Sequence, residues 1–167
     1  QEGNMTSLRP TTDRIKESLF NILSGGKFDL KMENARILDI FAGSGALGVE
    51  AISRGAKSCT FIEKNKACIR LLYKNLKICN IENQTIIKAF DATEFPLNLE
   101  QPYDLVFVDP PYRMSLGEAA VRSALASNWI SDNALIVLEE GEQKSSLKGF
   151  KLEDTRRYGD TILHFFK

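Results

Sequence analysis

The chain has 167 residues, 43% of them hydrophobic, and its 22 Lys and Arg balance 22 Asp and Glu, so the formal net charge is zero. That length suits a single domain over residues 1–167 with a core that needs no disulfide or metal, and charge neutrality weighs against a polycationic nucleic-acid binder. No apolar run approaches the ~20 residues of a membrane span, and the opening "QEGNMTSLRP" lacks the apolar stretch of a signal peptide, so a cytoplasmic protein is expected.

In chain order, "RPTTDRIKESLFNIL" predicts a helix, with Thr11, Thr12 and Asp13 as candidate N-caps. Ile15, Leu19, Ile22 and Leu23 form its apolar stripe, and Gly25-Gly26 stops it. "ARILDIF" reads as a buried strand, followed by a glycine loop and a helix through Val49 and Ile52 to Gly55. "SCTFIE" is a second strand, and "NKACIRLLYKNLKIC" a helix with Cys68, Leu72, Leu76 and Cys79 on one face. "QTIIKAF" and "YDLVFVD" are the third and fourth strands, with a loop through Asp91 between them. A helix over residues 115–127 leads to a fifth strand, "ALIVLEE", and a hairpin pairs "FKLEDTRRY" with "TILHFF" across Gly159-Asp160. Strands alternating with helices predict an α/β, Rossmann-like fold. Its sheet is seven-stranded and mostly parallel, with a C-terminal antiparallel hairpin and helices on both faces.

Cys59, Cys68 and Cys79 are odd in number and show no C-x-x-C spacing. Cys59 and Cys68 read as packing thiols. The one histidine, His164, lies in a strand-like run and reads as structural, so no metal site is expected.

Gly43, Gly45 and Gly48 form G-x-G-x-x-G between a strand and a helix, a turn that lets backbone approach a ligand closely. The helix start offers N–H groups to an anion. Glu63, at the end of the next strand, is placed to bind ribose hydroxyls. The loop alone does not distinguish NAD from S-adenosylmethionine. Asp39, on the strand entering the loop, favours the latter, because a carboxylate suits an amino group and a sulfonium and repels a pyrophosphate. Asp91 and the Ala92 backbone in "FDA" could read an adenine edge, although Asp91 could equally be a turn residue.

"VFVDPPYRM" ends a buried strand with an acid and a stiffened turn. Ligands of open α/β sheets sit at the carboxyl ends of the strands. Asp109 therefore offers an acceptor at the ligand rim, Pro110 and Pro111 a rigid turn with carbonyls and no donors, and Tyr112 a stacking surface. That set fits a planar exocyclic amine held in line with a methyl donor. A base inside a duplex would have to be flipped out to reach it.

"DPPY" at 109–112 with "FAGSG" at 41–45 resembles the amino-methyltransferase branch of the class I S-adenosylmethionine-dependent methyltransferases. "LRPTTDRIKESLFNIL", residues 8–23, is similar to the opening segment of the RsmD-like 16S rRNA (guanine-N2) methyltransferase family. The resemblance implies methylation of the N2 amine of a guanine, guanine 966 in the family, in 16S rRNA or a small-subunit assembly particle, by a monomer. It implies S-adenosylmethionine binding at Asp39, Phe41, Gly43, Gly45, Glu63, Lys64, Asp91 and Ala92. Asp109, Pro110, Pro111 and Tyr112 would be catalytic, and Arg9, Thr12, Arg14, Tyr112 and Arg113 would bind the RNA. Arg9 and Arg14 could bind phosphate or simply solvate a helix start. Arg113, Arg122, Arg156 and Arg157 could form a basic patch or be scattered surface charge. Members of the family carry a short basic β-hairpin ahead of this segment; the sequence opens at Gln1 without one, and a basic N-terminus is expected of the full-length protein.

Three other readings compete. An adenine-N6 DNA or protein-glutamine methyltransferase uses a similar acid-proline-proline-aromatic loop. A nicotinamide-dependent oxidoreductase shares the glycine pattern but lacks an evident proton donor at the sheet edge. A non-catalytic RNA-binding module would not need Asp109.

Overall fold

The computed structural model of the chain describes residues 10–111, 116–141 and 146–167, with backbone only for 10–12. The chain divides into two compact units, Gln1–Leu30 and Lys31–Lys167.

In the first unit, helix α1 spans Pro10–Ser24. Pro10 is already helical, so Thr11, Thr12 and Asp13 lie inside the helix and do not cap it. A proline near a helix start is tolerated because its missing N–H has no partner there in any case. Ile15, Leu19, Phe20 and Leu23 are buried, as their spacing requires. The helix ends at Gly25, whose N–H donates to the Ile22 carbonyl, and at Gly26, whose φ is 78°.

The second unit is built on a seven-stranded sheet. Its strands are β1 (Arg36–Ile40), β2 (Ser58–Ile62), β3 (Thr85–Lys88), β4 (Tyr103–Val108), β5 (Ile130–Glu140), β6 (Leu152–Tyr158) and β7 (Thr161–Phe166). The order is β3-β2-β1-β4-β5-β7-β6, with β1 to β5 parallel and β7 antiparallel to both its neighbours. The connecting helices are α2 (Ala46–Ser53), α3 (Lys66–Cys79) and α4 (Leu116–Ala126). The alternation of strand and helix predicts this architecture, terminal hairpin included. The chain winds outward from β1 through β2 to β3, then returns to lay β4 on the other side of β1. The crevice between β1 and β4 is thus the switch point at which such sheets bind ligands.

Alternate residues face opposite sides of the sheet. Leu38, Ile40, Ile62, Val106, Val108, Ile136 and Leu138 share one buried core with Ala120, Val121 and Ala124 of α4. Phe61 and Cys59 face the other side, against α2, and Phe61 also approaches the glycine loop. A Cβ on Gly48 would lie 2.3 Å from Phe61 Cε1 and 2.5 Å from Cys59 Sγ, so this glycine lets helix and sheet close together. Cys59 is buried, Cys68 half-buried and Cys79 exposed, so the helical face expected to carry four apolar groups is buried only at Leu72 and Leu76.

An aromatic cluster props the loop that follows β3. Phe90 and Phe95 meet edge to face with centroids 5.1 Å apart, Phe95 meets Trp129 at 5.1 Å, and Tyr103 stacks on Trp129 at 5.8 Å. The Trp129 indole donates to the Pro96 carbonyl at 2.7 Å, and the hydroxyls of Tyr103 and Thr60 share a hydrogen bond of 2.7 Å. Asp91 and Ala92 lie between Phe90 and Phe95 and are carried on this support. His164 is buried in β7, with Nδ1 3.2 Å from Thr155 Oγ1, and burial lowers its pKa.

Candidate active site

Four acidic side chains converge at the tips of adjacent parallel strands. Register pairs Ile40 with Ile62 and with Val108, and Val108 with Leu138. The next residue on each strand, Phe41, Glu63, Asp109 and Glu139, therefore stands at one level. Asp39 lies two residues below Phe41 on β1, directly beside Phe107 and Phe61.

Asp39 is buried, and its Oδ2 accepts the Gly48 amide at 3.0 Å. Burial pushes its pKa up to about 8 against the lowering effect of that hydrogen bond, with the charges of Asp109 and Glu63 adding to the rise. Glu63 uses both oxygens: Oε2 accepts the Gly43 amide at 2.9 Å and Oε1 the Asn65 amide at 2.8 Å. Each oxygen keeps a lone pair for a hydroxyl donor. Gly45 is in the left-handed region at φ 79°, where it begins α2, and its own N–H donates to the Ala42 carbonyl. A Cβ there would lie 2.3 Å from Leu72 Cδ1.

The amides of Gly43, Gly45 and Gly48 thus already have partners, two of them carboxylates. These three glycine amides are therefore not free to meet an anion, and of the loop and helix start only the other amides could do so. The crevice is negative, and a pyrophosphate would be repelled where a cation would be held. Phe41, at the turn out of β1, has φ 62°. A non-glycine residue in that region stores of order 1–3 kcal/mol of strain and marks a backbone fixed by its surroundings.

On the opposite side of the crevice, Asp109 continues β4 and its amide donates to the Ile40 carbonyl at 3.4 Å. The residue keeps exposed surface at the strand tip, yet desolvation of its carboxylate raises its pKa to about 6. Pro110 is buried and Pro111 exposed. Gly117 of α4 packs there; its Cβ would stand 2.9 Å from Leu138 Cδ1 and 3.4 Å from Pro110 Cγ. Tyr112, Arg113 and Arg9 lie outside the described residues, as does the side chain of Thr12.

Asp91 is a turn residue: its Oδ1 accepts both the amide and the hydroxyl of Thr93, at 2.9 and 2.8 Å. Its Oδ2 takes the Lys64 ammonium at 2.6 Å, and that bond, more than the Thr93 bonds, lowers its pKa to about 2. Lys64, in turn, is raised by the same bond. This is a surface pair screened by solvent, so it orders a rim more than it stabilises a fold. Ala92 is buried beside it.

Of the four arginines that could form a basic patch or be scattered surface charge, Arg113 lies outside the described residues. Arg156 pairs with Asp154 at 3.0 Å, Arg157 Nε donates to the Gly159 carbonyl, and Arg122 is exposed on α4. Arg14 is exposed on α1. Cations gather instead on α3, where Lys66, Arg70, Lys74 and Lys77 are all exposed on a helix without an acid. Their spacing of four, four and three puts them on one face with exposed Tyr73.

Glu139 is the residue that sequence reasoning missed. Burial, then the charge of Asp109, raises its pKa to about 7. Within "ALIVLEE" it reads as the polar end of a strand, and only register brings it beside Asp109.

A sheet of this order, parallel but for its C-terminal hairpin and with an acid-lined crevice at its switch point, has the fold of the class I, Rossmann-like methyltransferases. Residues 2–167 match the family described as Conserved hypothetical protein 95, and the chain belongs to that RsmD-like family. The ribosomal RNA small subunit methyltransferase D of Buchnera aphidicola (subspecies Acyrthosiphon pisum) is 40% identical over 142 residues, which cover 85% of this chain and 72% of that protein. The methyltransferase D of Haemophilus influenzae is 42% identical over 146 residues, or 84% of this chain and 72% of that one. Among solved structures, yhhF from Escherichia coli superposes with a TM-score of 0.82 at 34% identity, covering 96% of this chain and 87% of that chain.

Proposed function

We propose that this protein transfers a methyl group from S-adenosylmethionine to the N2 amine of a guanine, the counterpart of guanine 966, in the RNA of the small ribosomal subunit. The observation that carries the reading is the pairing of an acid-lined cofactor crevice with Asp109 on the adjoining strand tip. The names of the relatives supply the RNA class, and the basic face of α3 supports a polyanionic partner.

The donor set fits the cofactor. Asp39 and the loop at Phe41, Gly43 and Gly45 would hold its cationic amino-acid end, and Glu63 its ribose. Ala92 would receive the adenine, with Lys64 and Asp91 ordering that rim. When bound, S-adenosylmethionine supplies an electrophilic methyl group on a sulfonium.

Asp109 and the Pro110 carbonyl accept the two N–H groups of the guanine amine. Two acceptors on a stiff turn hold the nitrogen in one orientation and favour the pyramidal geometry in which its lone pair is available. Such positioning can remove a large part of a barrier without a strong base. Asp109 then takes the proton from the methylated ammonium, which is a strong acid beside a carboxylate whose pKa is near 6. Tyr112 is assigned the stacking role, and Arg9, Thr12, Arg14 and Arg113 the contacts to RNA.

The test is methyl transfer from labelled S-adenosylmethionine to small-subunit rRNA or particles, to DNA and to glutamine peptides, followed by mapping of the modified nucleotide. Label on one guanine, lost in Asp109→Ala, is the expected result. Label on DNA adenine or on peptide glutamine would overturn the guanine assignment. Full biological activity of Asp109→Ala would favour a non-catalytic binding module.

A further inference from the structure

Asp109 and Glu139 are two carboxylates on neighbouring parallel strands with no gap in register, since Val108 pairs with Leu138 directly before them. Parallel strands lie about 4.8 Å apart, so the last pair, Val108 and Leu138, brings the residues that follow them, 109 and 139, close together. Each follows buried residues of the same face by an even step, Leu105 and Phe107 on β4 and Leu135 and Val137 on β5. Both side chains therefore leave the sheet on the same side, which is also the side of Asp39. On its other flank Glu139 stands opposite Leu163 of β7, which is apolar and buried.

Among the described residues, no hydrogen bond or ion pair engages either carboxylate. Two acids side by side at a sheet edge, met by no cation or donor among the described residues, are costly in the free protein. The raised pKa values of both report that cost. A strand tip that needed only solubility would not place them side by side. The arrangement is suited to a ligand that brings two adjacent donors.

Guanine is such a ligand. Its N1–H lies next to its N2 amine on one edge of the ring. We infer that Glu139 is the residue that selects the base: its carboxylate accepts the guanine N1–H while Asp109 holds the amine being methylated. This inference rests on the guanine reading above and extends it to the source of base specificity. Adenine, or any purine with an amine beside an unprotonated ring nitrogen, would set a lone pair against the Glu139 carboxylate. A site built to pair with an N–H rejects an analogue that lacks it far more strongly than an apolar pocket could.

The experiment, run at about pH 8.5 so that Glu139 is ionised, compares two RNA substrates that differ at one position of the small-subunit target, guanine or 2,6-diaminopurine. The second keeps the C2 amine but has an acceptor at N1. Wild-type protein is expected to favour guanine in kcat/KM by about 100-fold or more. Glu139→Ala is expected to lower guanine methylation about 100-fold while changing diaminopurine methylation by only a few-fold, so that the preference collapses. Glu139→Gln, whose amide offers an acceptor to guanine or a donor to diaminopurine, should restore part of the guanine rate and raise the diaminopurine rate. Thermal unfolding and S-adenosylmethionine affinity establish that the variants are folded. If Glu139→Ala slows both substrates equally, or keeps the guanine preference, the selection role is overturned while the guanine assignment stands. If wild-type protein methylates neither RNA, the guanine assignment itself falls and the inference with it.

Discussion

The buried carboxylate of Asp39 accepts the amide of Gly48 at 3.0 Å, tying the strand that enters the glycine loop to the helix that leaves it. The same acid faces the crevice in which a cation is to be held, so the fold and the ligand compete for its charge. Its pKa is about 8 in the folded chain, against 3.8 for an ordinary aspartate. Between those values the folded protein keeps a proton that the unfolded chain has lost. This contribution is fully present below about pH 4 and is lost as pH rises through about 8. Asp39→Asn, which keeps an acceptor for Gly48, removes that loss. The variant should match wild type in melting temperature at about pH 4 and below and exceed it by a margin that grows up to about pH 8, while binding S-adenosylmethionine about 10- to 100-fold more weakly. Thermal unfolding across pH and calorimetric titration check the two halves; a variant less stable than wild type at pH 8 would show that the buried charge is not the cost described.

In the proposed reaction Asp109 acts in its ionised form, and desolvation raises its pKa to about 6. kcat/KM should therefore climb as pH rises through about 6 and level off above it. Asp109 and Glu139 titrate as a pair, so the limb reports both. In kcat, where the cationic cofactor is already bound, the limb should move to lower pH. Asp109→Asn should reduce kcat about 100-fold or more and leave a single limb that belongs to Glu139. A wild-type profile flat from pH 5 to 8 would remove Asp109 from the proton chemistry.

Gly48 sits against Phe61 and Cys59 with no room for a methyl group. Gly48→Ala should cost about 1–3 kcal/mol in urea denaturation, the usual range for overpacking. Combining it with Phe61→Leu should cost less than the sum of the two single changes, because the smaller side chain makes the missing space. Additive costs would place the strain of Gly48→Ala elsewhere.

Trp129 joins Phe95 and Tyr103 beneath the loop that carries Asp91 and Ala92. Trp129→Ala should destabilise the protein by about 3–5 kcal/mol and raise KM for S-adenosylmethionine, with kcat at saturation little changed. A fall in kcat at unchanged KM would mean that the cluster supports the substrate side of the crevice instead.

The amino-acid sequence by itself determined the elements and their kinds. Gly-rich turns between apolar runs of strand length and helical spacing are local signals, and so is the Asp109-Pro110-Pro111 turn after four buried residues. The terminal hairpin announced itself by alternation about Gly159-Asp160. Only the tertiary structure decided which acids meet. Strand order and register are set by packing between segments far apart in the chain, so nothing within "ALIVLEE" marks Glu139 as the neighbour of Asp109. For the same reason, the partners of Asp39 and Glu63 were hidden. A glycine loop is equally compatible with amides that face a ligand and with amides already bound to acids nine and twenty residues away. The spacing of glycines reports backbone freedom, whereas the charge of the crevice depends on which side chains the folded sheet brings to its edge.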